Sequence, residues 1–166
     1  SAVAARSLSA ERGLRQMAAK AYGGTPAASG TTPDADFIRD LELALFAGKI
    51  AAYAQGFAVM DQASEEFQWN LPMPTIARIW RAGCIIRSQF LGTLAKSFEA
   101  DPDAENLLLI GDFVEMMKEA HPSLRRIVAH AALNGLPVPA LSAALGYFDS
   151  FRQARGTANL IQAQRD

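Results

Sequence analysis

The sequence predicts an all-α protein in which several helices pack around one long, buried central helix. Three observations lead to this prediction. Residues Asp34–Phe67 form the longest patterned run, and no proline interrupts it. Between Ala44 and Met60 the only strongly polar side chains are Lys49 and Gln55, and a helix without a polar face is either a membrane span or a buried axis. Nowhere does the chain show the sustained alternation that a half-buried strand requires.

The start of this run is amphipathic, since its apolar residues recur at steps of three and four; they are Phe37, Ile38, Leu41 and Leu45. The run without a polar face is shorter than the roughly 20 residues that a bilayer needs, and acidic residues flank it. It therefore predicts a core helix and no membrane contact. Gly48 and Gly56 lie eight positions apart on one helix face. Because each lowers helix propensity, we expect another helix to approach closely at both.

The N-terminal part, Ala2–Lys20, is rich in helix formers and predicts one helix, although an amphipathic stretch with Arg and Ser is also compatible with a transit peptide. Residues 22–32 form a loop of small residues. The prolines of Asn70–Pro74 end the central helix. The segments predicted next are helices at Thr75–Arg87 and Ser88–Phe98, a short apolar segment Asn106–Ile110 opened by an N-cap at Asp101, and a helix at Asp112–Ala120.

Proline and glycine set the remaining boundaries. Pro122 predicts a new helix that ends at Asn134-Gly135 in a left-handed C-cap. Pro139 lies at the predicted start of the next helix, and Gly156 at its end. A short helix over Ala158–Asp166 closes the chain.

Composition excludes several classes of function. The net charge of −1 argues against general nucleic-acid binding, which needs a basic surface to neutralise phosphates. The single cysteine, Cys84, excludes an intrachain disulfide and suits the reducing cytoplasm. We find no apolar core of a secretory signal, so we expect a cytoplasmic protein.

The residues alone reveal no catalytic or metal-binding constellation. His121 and His130 are nine positions apart with no acidic residue at a mechanistic offset, so we expect structural histidines and no metal. Cys84 lies beside isoleucines, which favours a buried thiol over a nucleophile. The Arg- and Trp-rich segment Arg78–Arg87 is more typical of an ion-paired interface patch than of an anion site.

Several long runs resemble the C-terminal helical domain of the 6-phosphogluconate dehydrogenase family. KIAAYAQGF (Lys49–Phe57) resembles the family's K-I-x-x-Y-A-Q-G-F, and IARIWRAGCIIRSQFL (Ile76–Leu91) resembles its I-W-R-G-G-C-I-I-R segment, with Ala82 in place of one glycine. ENLLL (Glu105–Leu109), Leu124–Arg152 and ANLIQAQRD (Ala158–Asp166) follow in the family's order. The resemblance implies that residues 1–166 are a single all-α C-terminal domain that forms homodimers.

The family's enzymes oxidise and decarboxylate 6-phosphogluconate to ribulose 5-phosphate with NADP. By resemblance, their catalytic lysine and glutamate and their nucleotide-binding Rossmann domain precede the part that this sequence matches, so no catalytic or cofactor-binding residue is expected here. We find no G-x-G-x-x-G fingerprint. This implies that the 166-residue chain alone binds no cofactor and is inactive. The competing hypothesis is a non-enzymatic helical interaction module that retains only the fold.

Two substrate-binding residues follow from the resemblance. AVAARSLS (Ala2–Ser9) is similar to the family's A-V-x-A-R-x-L-S, whose arginine binds the substrate phosphate, and this arginine is Arg6. QAQRD matches the stretch whose arginine reaches the site of the neighbouring subunit, and this arginine is Arg165. The family continues Y-F-G-A-H with a further substrate-binding histidine, whereas this sequence stops at Asp166. From spacing alone both arginines are ordinary surface residues.

Overall fold

The computed structural model describes residues 2–24, 32–83, 90–102, 104–156 and 162–164. Over these ranges the regular structure is helical and no strand occurs, so the predicted all-α class is confirmed. The helices are α1 (Ala2–Ala10), α2 (Arg12–Tyr22), α3 (Ala35–Glu66), α4 (Met73–Gly83), α5 (Phe90–Ala100), α6 (Gly111–Leu133) and α7 (Pro139–Phe151), with a 3₁₀ turn at Leu107–Leu109. The predicted final helix, Ala158–Asp166, falls largely outside the described residues.

The chain divides into two compact units. Unit 1 comprises Ser1–Gly48 and Ala120–Asp166, and unit 2 comprises Lys49–Glu119. The core of unit 2 is centred on Phe57, whose ring lies 5.4 Å from that of Trp80 and 5.1 Å from that of Phe98. In unit 1 the buried residues come from α3, α6 and α7 and include Ala44, Leu124 and Ala144.

Helix α3 is the long helix that the sequence predicts. Asp34 caps its first turn, because its Oδ1 accepts a hydrogen bond of 2.8 Å from the backbone N–H of Phe37. Its buried residues lie along one face and include Ala47, Ile50 and Ala54. By length and composition α3 could cross a membrane, but core helices of soluble proteins meet the same criterion, and 33% of its most apolar stretch is buried.

A second face of α3 remains exposed in the single chain. Ile38, Leu41 and Leu45 recur at steps of three and four and keep 56%, 45% and 61% of their surface exposed. These three residues form what we call the α3 stripe. The helix is therefore buried on one face only, because no element of the described chain covers the stripe.

The two glycines of α3 behave differently. A Cβ on Gly48 would lie 2.9 Å from Cδ2 of Leu141, so α7 approaches α3 closely at this point, as predicted. The prediction is wrong for Gly56, where a Cβ would meet no atom of the described chain within 4 Å. Sequence spacing places both glycines on one face but does not say which part of that face another helix covers.

The boundaries predicted around Glu11 and Pro122 are wrong. The single N-terminal helix is split at Glu11, whose backbone has φ −77° and ψ 53°; the guanidinium group of Arg15 donates to the carbonyl of Ser9 at 3.0 Å and thereby satisfies a carbonyl at the end of α1. Conversely, Pro122 lies inside α6 and does not begin a new helix. An internal proline costs about 3 kcal/mol, but the buried residues Ala120, Ser123 and Leu124 on either side hold the helix in place.

The end of α6 agrees with the sequence. Gly135 has φ 66°, the N–H of Leu136 donates to the carbonyl of Ala131 at 2.8 Å, and the N–H of Gly135 donates to that of Ala132 at 3.3 Å. This pair of bonds is a Schellman motif.

Helix α7 then starts with Pro139 at its first turn but ends at Phe151, before the predicted Gly156. The cap before the 3₁₀ turn is Asn106, not Asp101, since the Asn106 side chain accepts from the N–H of Leu108.

Candidate functional site

Arg6 lies on α1 and is exposed to solvent. The hydroxyl of Ser9 donates to the carbonyl of Arg6 at 2.7 Å, and the guanidinium group of Arg15 donates to the carbonyl of Ser9 at 3.0 Å. The first bond lies within α1, and the second ties the end of α1 to α2. Among the ion pairs of the described ranges none involves Arg6. Within the part of the chain that the structure describes, the Arg6 guanidinium group therefore lies on an exposed helix without a carboxylate partner.

A groove of about 570 Å³ runs beside α1 within unit 1. Its lining is mostly apolar and consists of Ala4, Leu8, Val128, Ala132, Leu136, Pro137, Val138, Pro139 and Ser142. Arg6 is on the same helix but does not line the groove. The groove therefore suits an apolar group, whereas Arg6, two positions from both Ala4 and Leu8, lies on a different face of α1.

Arg165 falls outside the described residues, as do Cys84 and Arg87. Whether Arg165 joins Arg6 in one site stays a prediction. Within the Arg- and Trp-rich segment, Arg78 forms an ion pair with Glu99. Trp80 packs its ring against Phe57. These contacts agree with the ion-paired patch expected for this segment.

The two histidines both pack against phenylalanines. The ring of His130 meets that of Phe37 edge-on at 5.1 Å, and the ring of His121 lies 5.2 Å from that of Phe148. Over the described ranges no group of three or more His, Cys, Asp or Glu side chains could hold a metal ion. The positions of these rings fit the structural roles expected for them.

One polar cluster joins α3 to α6, and no sequence signal indicated it. The carboxylate of Asp40 accepts two hydrogen bonds from Arg126, at 2.6 Å from Nε and 2.5 Å from Nη2, and a third of 2.8 Å from the hydroxyl of Ser123. The bonds from Arg126, and then that from Ser123, lower the pKa of Asp40 from 3.8 to about 2. The contribution of this cluster to stability is thus complete above pH 3.8 and is lost as the pH falls towards 2.

A second cluster joins α6 to α7. The carboxylate of Asp149 accepts from Arg125 at 2.6 Å and from Arg152 at 3.1 Å. The guanidinium group of Arg152 also lies over the ring of Phe148, 5.5 Å from its centre. His121 lies against the same ring, and its Nδ1 is buried without a hydrogen-bond partner in the described chain. Burial first, and then Arg152 and Arg125, lower the pKa of His121, while Asp149 acts in the opposite direction.

Comparison with known proteins places the chain in a family. Residues 1–166 match the family described as "6-phosphogluconate dehydrogenase, C-terminal domain". The relatives include 6-phosphogluconate dehydrogenase, decarboxylating, of Escherichia coli (46% identical over 164 residues, 99% of this chain and 35% of the relative). They also include that of Lactococcus lactis (44% over 164 residues, 99% of this chain and 34% of the relative) and enzyme 2 of Saccharomyces cerevisiae (45% over 166 residues, 99% of this chain and 34% of the relative).

A solved structure of Plasmodium falciparum 6-phosphogluconate dehydrogenase has a similar fold. It superposes with a TM-score of 0.92 at 39% identity and covers 99% of this chain and 35% of that one. It was determined in its apo form, in complex with its cofactor NADP+ and in complex with its substrate 6-phosphogluconate. The chain described here spans about a third of the length of the relatives it matches.

Proposed function

Because the chain belongs to the 6-phosphogluconate dehydrogenase family, as its C-terminal domain, we propose that it is the substrate-binding and dimerising part of such an enzyme. The whole enzyme would oxidise and decarboxylate 6-phosphogluconate to ribulose 5-phosphate with NADP, in the cytoplasm. The observation that carries the proposal is the match of all 166 residues to the family, together with relatives of 44–46% identity that are named decarboxylating 6-phosphogluconate dehydrogenases.

The residues of this chain do not fit NADP. A dinucleotide binds at a strand followed by a glycine-rich turn and a helix N-terminus, and the described ranges contain no strand. The sequence also lacks the glycine fingerprint. The proposal therefore assigns cofactor binding and the acid–base chemistry to the part of the longer protein outside this chain. It leaves this chain with substrate binding and assembly, and inactive by itself.

Arg6 is the substrate-binding residue that the described structure supports best. It is exposed, its helix end is braced by Ser9 and Arg15, and it has no carboxylate partner in the described ranges. A guanidinium group offers a planar fork of donors that matches two oxygens of a phosphate. We assign the phosphate of 6-phosphogluconate to Arg6 and, from the neighbouring subunit, to Arg165.

The experiment that tests the function compares the longer protein with this chain. The native protein should have a mass well above that of 166 residues and should form NADPH from NADP+ only when 6-phosphogluconate is present. The 166-residue chain should form none, because positioning of the substrate does not replace the missing proton transfer and cofactor. NADPH formation by the chain alone would contradict the assignment of roles.

The second candidate is a helical interaction module that retains the fold without the chemistry. The α3 stripe favours this second candidate, because an exposed apolar patch often marks a protein–protein contact. The gene distinguishes the two candidates. A Rossmann-type segment encoded in the same reading frame as this chain would support the enzyme. A native protein of only 166 residues that forms stable complexes but turns over no substrate would establish the module instead.

We further propose that the α3 stripe lies in a homodimer interface. Ile38, Leu41 and Leu45 share one face of a single helix, and each keeps close to half or more of its surface exposed in the isolated chain. Covering such apolar side chains with a second copy removes them from water, which contributes about 25 cal/mol per Å². A twofold dimer would place the same stripe on both sides of the contact.

Leu45→Glu is expected to shift the protein from dimers to monomers, because it brings a carboxylate into an apolar contact. Sedimentation at micromolar concentration measures the change. Leu133→Glu is the matched control: Leu133 is 87% exposed at the end of α6, outside the stripe, so this variant should remain dimeric. A wild-type chain that sediments as a monomer, or a Leu45→Glu variant that dimerises normally, would refute the proposed interface.

A further inference from the structure

We propose that His121, Arg125, Asp149 and Arg152 form an acid-sensitive latch that holds the C-terminal end of α7 on α6 and loosens when His121 takes up a proton. The proposal does not depend on the enzymatic function of the longer protein. It rests on the contacts within unit 1, where α6 contributes His121 and Arg125, and α7 and its C-terminal end contribute Asp149 and Arg152.

The packing of the imidazole favours its neutral form. Its ring lies against Phe148 at 5.2 Å, and its Nδ1 is removed from solvent without a hydrogen-bond partner in the described chain. A neutral ring can leave a lone pair unpaired at that nitrogen. A protonated ring would place an N–H at that buried nitrogen with no acceptor in the described chain, and burial of a polar group without a hydrogen-bond partner is unfavourable.

The two neighbouring arginines also favour the neutral imidazole. Arg125 lies one helical turn from His121 on α6, and Arg152 follows α7 and lies over the same Phe148 ring. Asp149 is the acidic group of this cluster, and it already accepts from both arginines, at 2.6 Å and 3.1 Å. A protonated His121 would add a third positive charge beside one carboxylate. Relief of that repulsion requires the end of α7 to move away.

The direction of the pH dependence follows from where the proton binds first. Burial and the two arginines lower the pKa of His121 in the folded protein below its ordinary 6.5, so the unfolded or unlatched chain takes up the proton at higher pH. The latch contributes fully above pH 6.5 and weakens as the pH falls from 6.5 through the pKa of the closed state.

Hydrogen exchange of α7 in the 166-residue chain tests the latch. Wild type and His121→Phe are compared at the same pH, which cancels the intrinsic pH dependence of exchange. Around pH 7.5 His121 is neutral in wild type. The ratio of the protection factors of the two proteins over residues 145–152 should therefore not change with pH there. At pH 5 wild type should lose protection relative to His121→Phe, by up to about tenfold for each unit by which the pKa is lowered. His130→Phe, which alters the other histidine, should retain the wild-type pH dependence.

Two outcomes would overturn the proposal. One is a His121→Phe variant whose α7 loses protection with acid as much as wild type does. The other is independent of that variant's folding: the chain has two histidines, so His130→Gln assigns their ring resonances, and His121 should titrate below 6.5 in wild type. Titration of His121 at 6.5 or above would mean that no latch of this kind exists.

Discussion

Replacement of Arg6 by alanine in the longer dehydrogenase that we propose is expected to raise KM for 6-phosphogluconate by about ten- to a hundredfold, the effect of one lost charged hydrogen bond. The KM for NADP+ should change little, because the proposal assigns the dinucleotide site to a part of the longer protein outside this chain. The expected change follows from the exposure of Arg6 on α1 and from the absence of a carboxylate partner in the described ranges. Steady-state kinetics with each substrate varied in turn measure both constants.

Two further variants make this result specific. Arg12, at the start of α2, is also exposed and forms no ion pair in the described ranges. Arg12→Ala should therefore leave both KM values unchanged. Arg6→Lys keeps the charge but loses the planar fork of donors, so it should recover only part of the affinity. An unchanged KM for 6-phosphogluconate in Arg6→Ala, with normal folding and assembly, would remove Arg6 from the site.

The partner residue can be tested by mixing subunits. Arg165→Ala alone should raise the same KM as Arg6→Ala. If each site takes Arg6 from one subunit and Arg165 from the other, a mixed dimer of the two variants contains one intact site, and random mixing restores about a quarter of the wild-type sites. If both arginines belong to the site of one subunit, mixing restores none. This experiment therefore separates a composite site from a site within one chain.

Phe57→Ala is expected to lower the free energy of unfolding by about 3–5 kcal/mol, the usual cost of removing a buried phenylalanine. Phe57 is 2% exposed and lies between the rings of Trp80 and Phe98, so truncation leaves a cavity and ends two aromatic contacts. Urea unfolding at a fixed protein concentration measures the loss. Because Trp80 lies against Phe57, the fluorescence of Trp80 should report the unfolding of unit 2.

Phe67→Ala is the matched control for this core variant. Phe67 lies just beyond α3, is 56% exposed and, among the described residues, stacks on Trp69 at 5.0 Å. Its removal should cost no more than about 1 kcal/mol, since surface substitutions are usually small in effect. Equal destabilisation by both substitutions would show that Phe57 is not the centre of the unit 2 core.

Features that depend on neighbouring residues were predictable from the sequence. Periodicity and the absence of proline placed the long helix α3 within one residue at each end, at Ala35–Glu66. The Asn134-Gly135 pair likewise identified the end of α6, because the left-handed backbone at Gly135 is set by local sterics. Such features need no knowledge of what lies elsewhere in the chain.

Features that depend on distant residues were not predictable. Pro122 reads as a helix start, yet burial of the residues around it keeps α6 continuous. The bonds between Asp40 and Arg126 join residues 86 positions apart, and neither residue has a local signal for the other. The candidate site residues Arg6 and Arg165 were identified from the family resemblance alone. An exposed arginine in a sequence has no local pattern that distinguishes a ligand-binding side chain from an ordinary surface one.

The division of the chain has a consequence for its biosynthesis. Unit 2 is continuous, Lys49–Glu119, whereas unit 1 is assembled from two segments that flank it, Ser1–Gly48 and Ala120–Asp166. As the chain leaves the ribosome, unit 2 can form all its internal contacts while residues 120–166 are still unsynthesised. The first half of unit 1 must wait for its second half, and loop closure over more than seventy residues makes that step the slower one. During this interval the buried face of α3 that belongs to unit 1 still lacks its partners from α6 and α7, so this segment is the one that needs protection from aggregation.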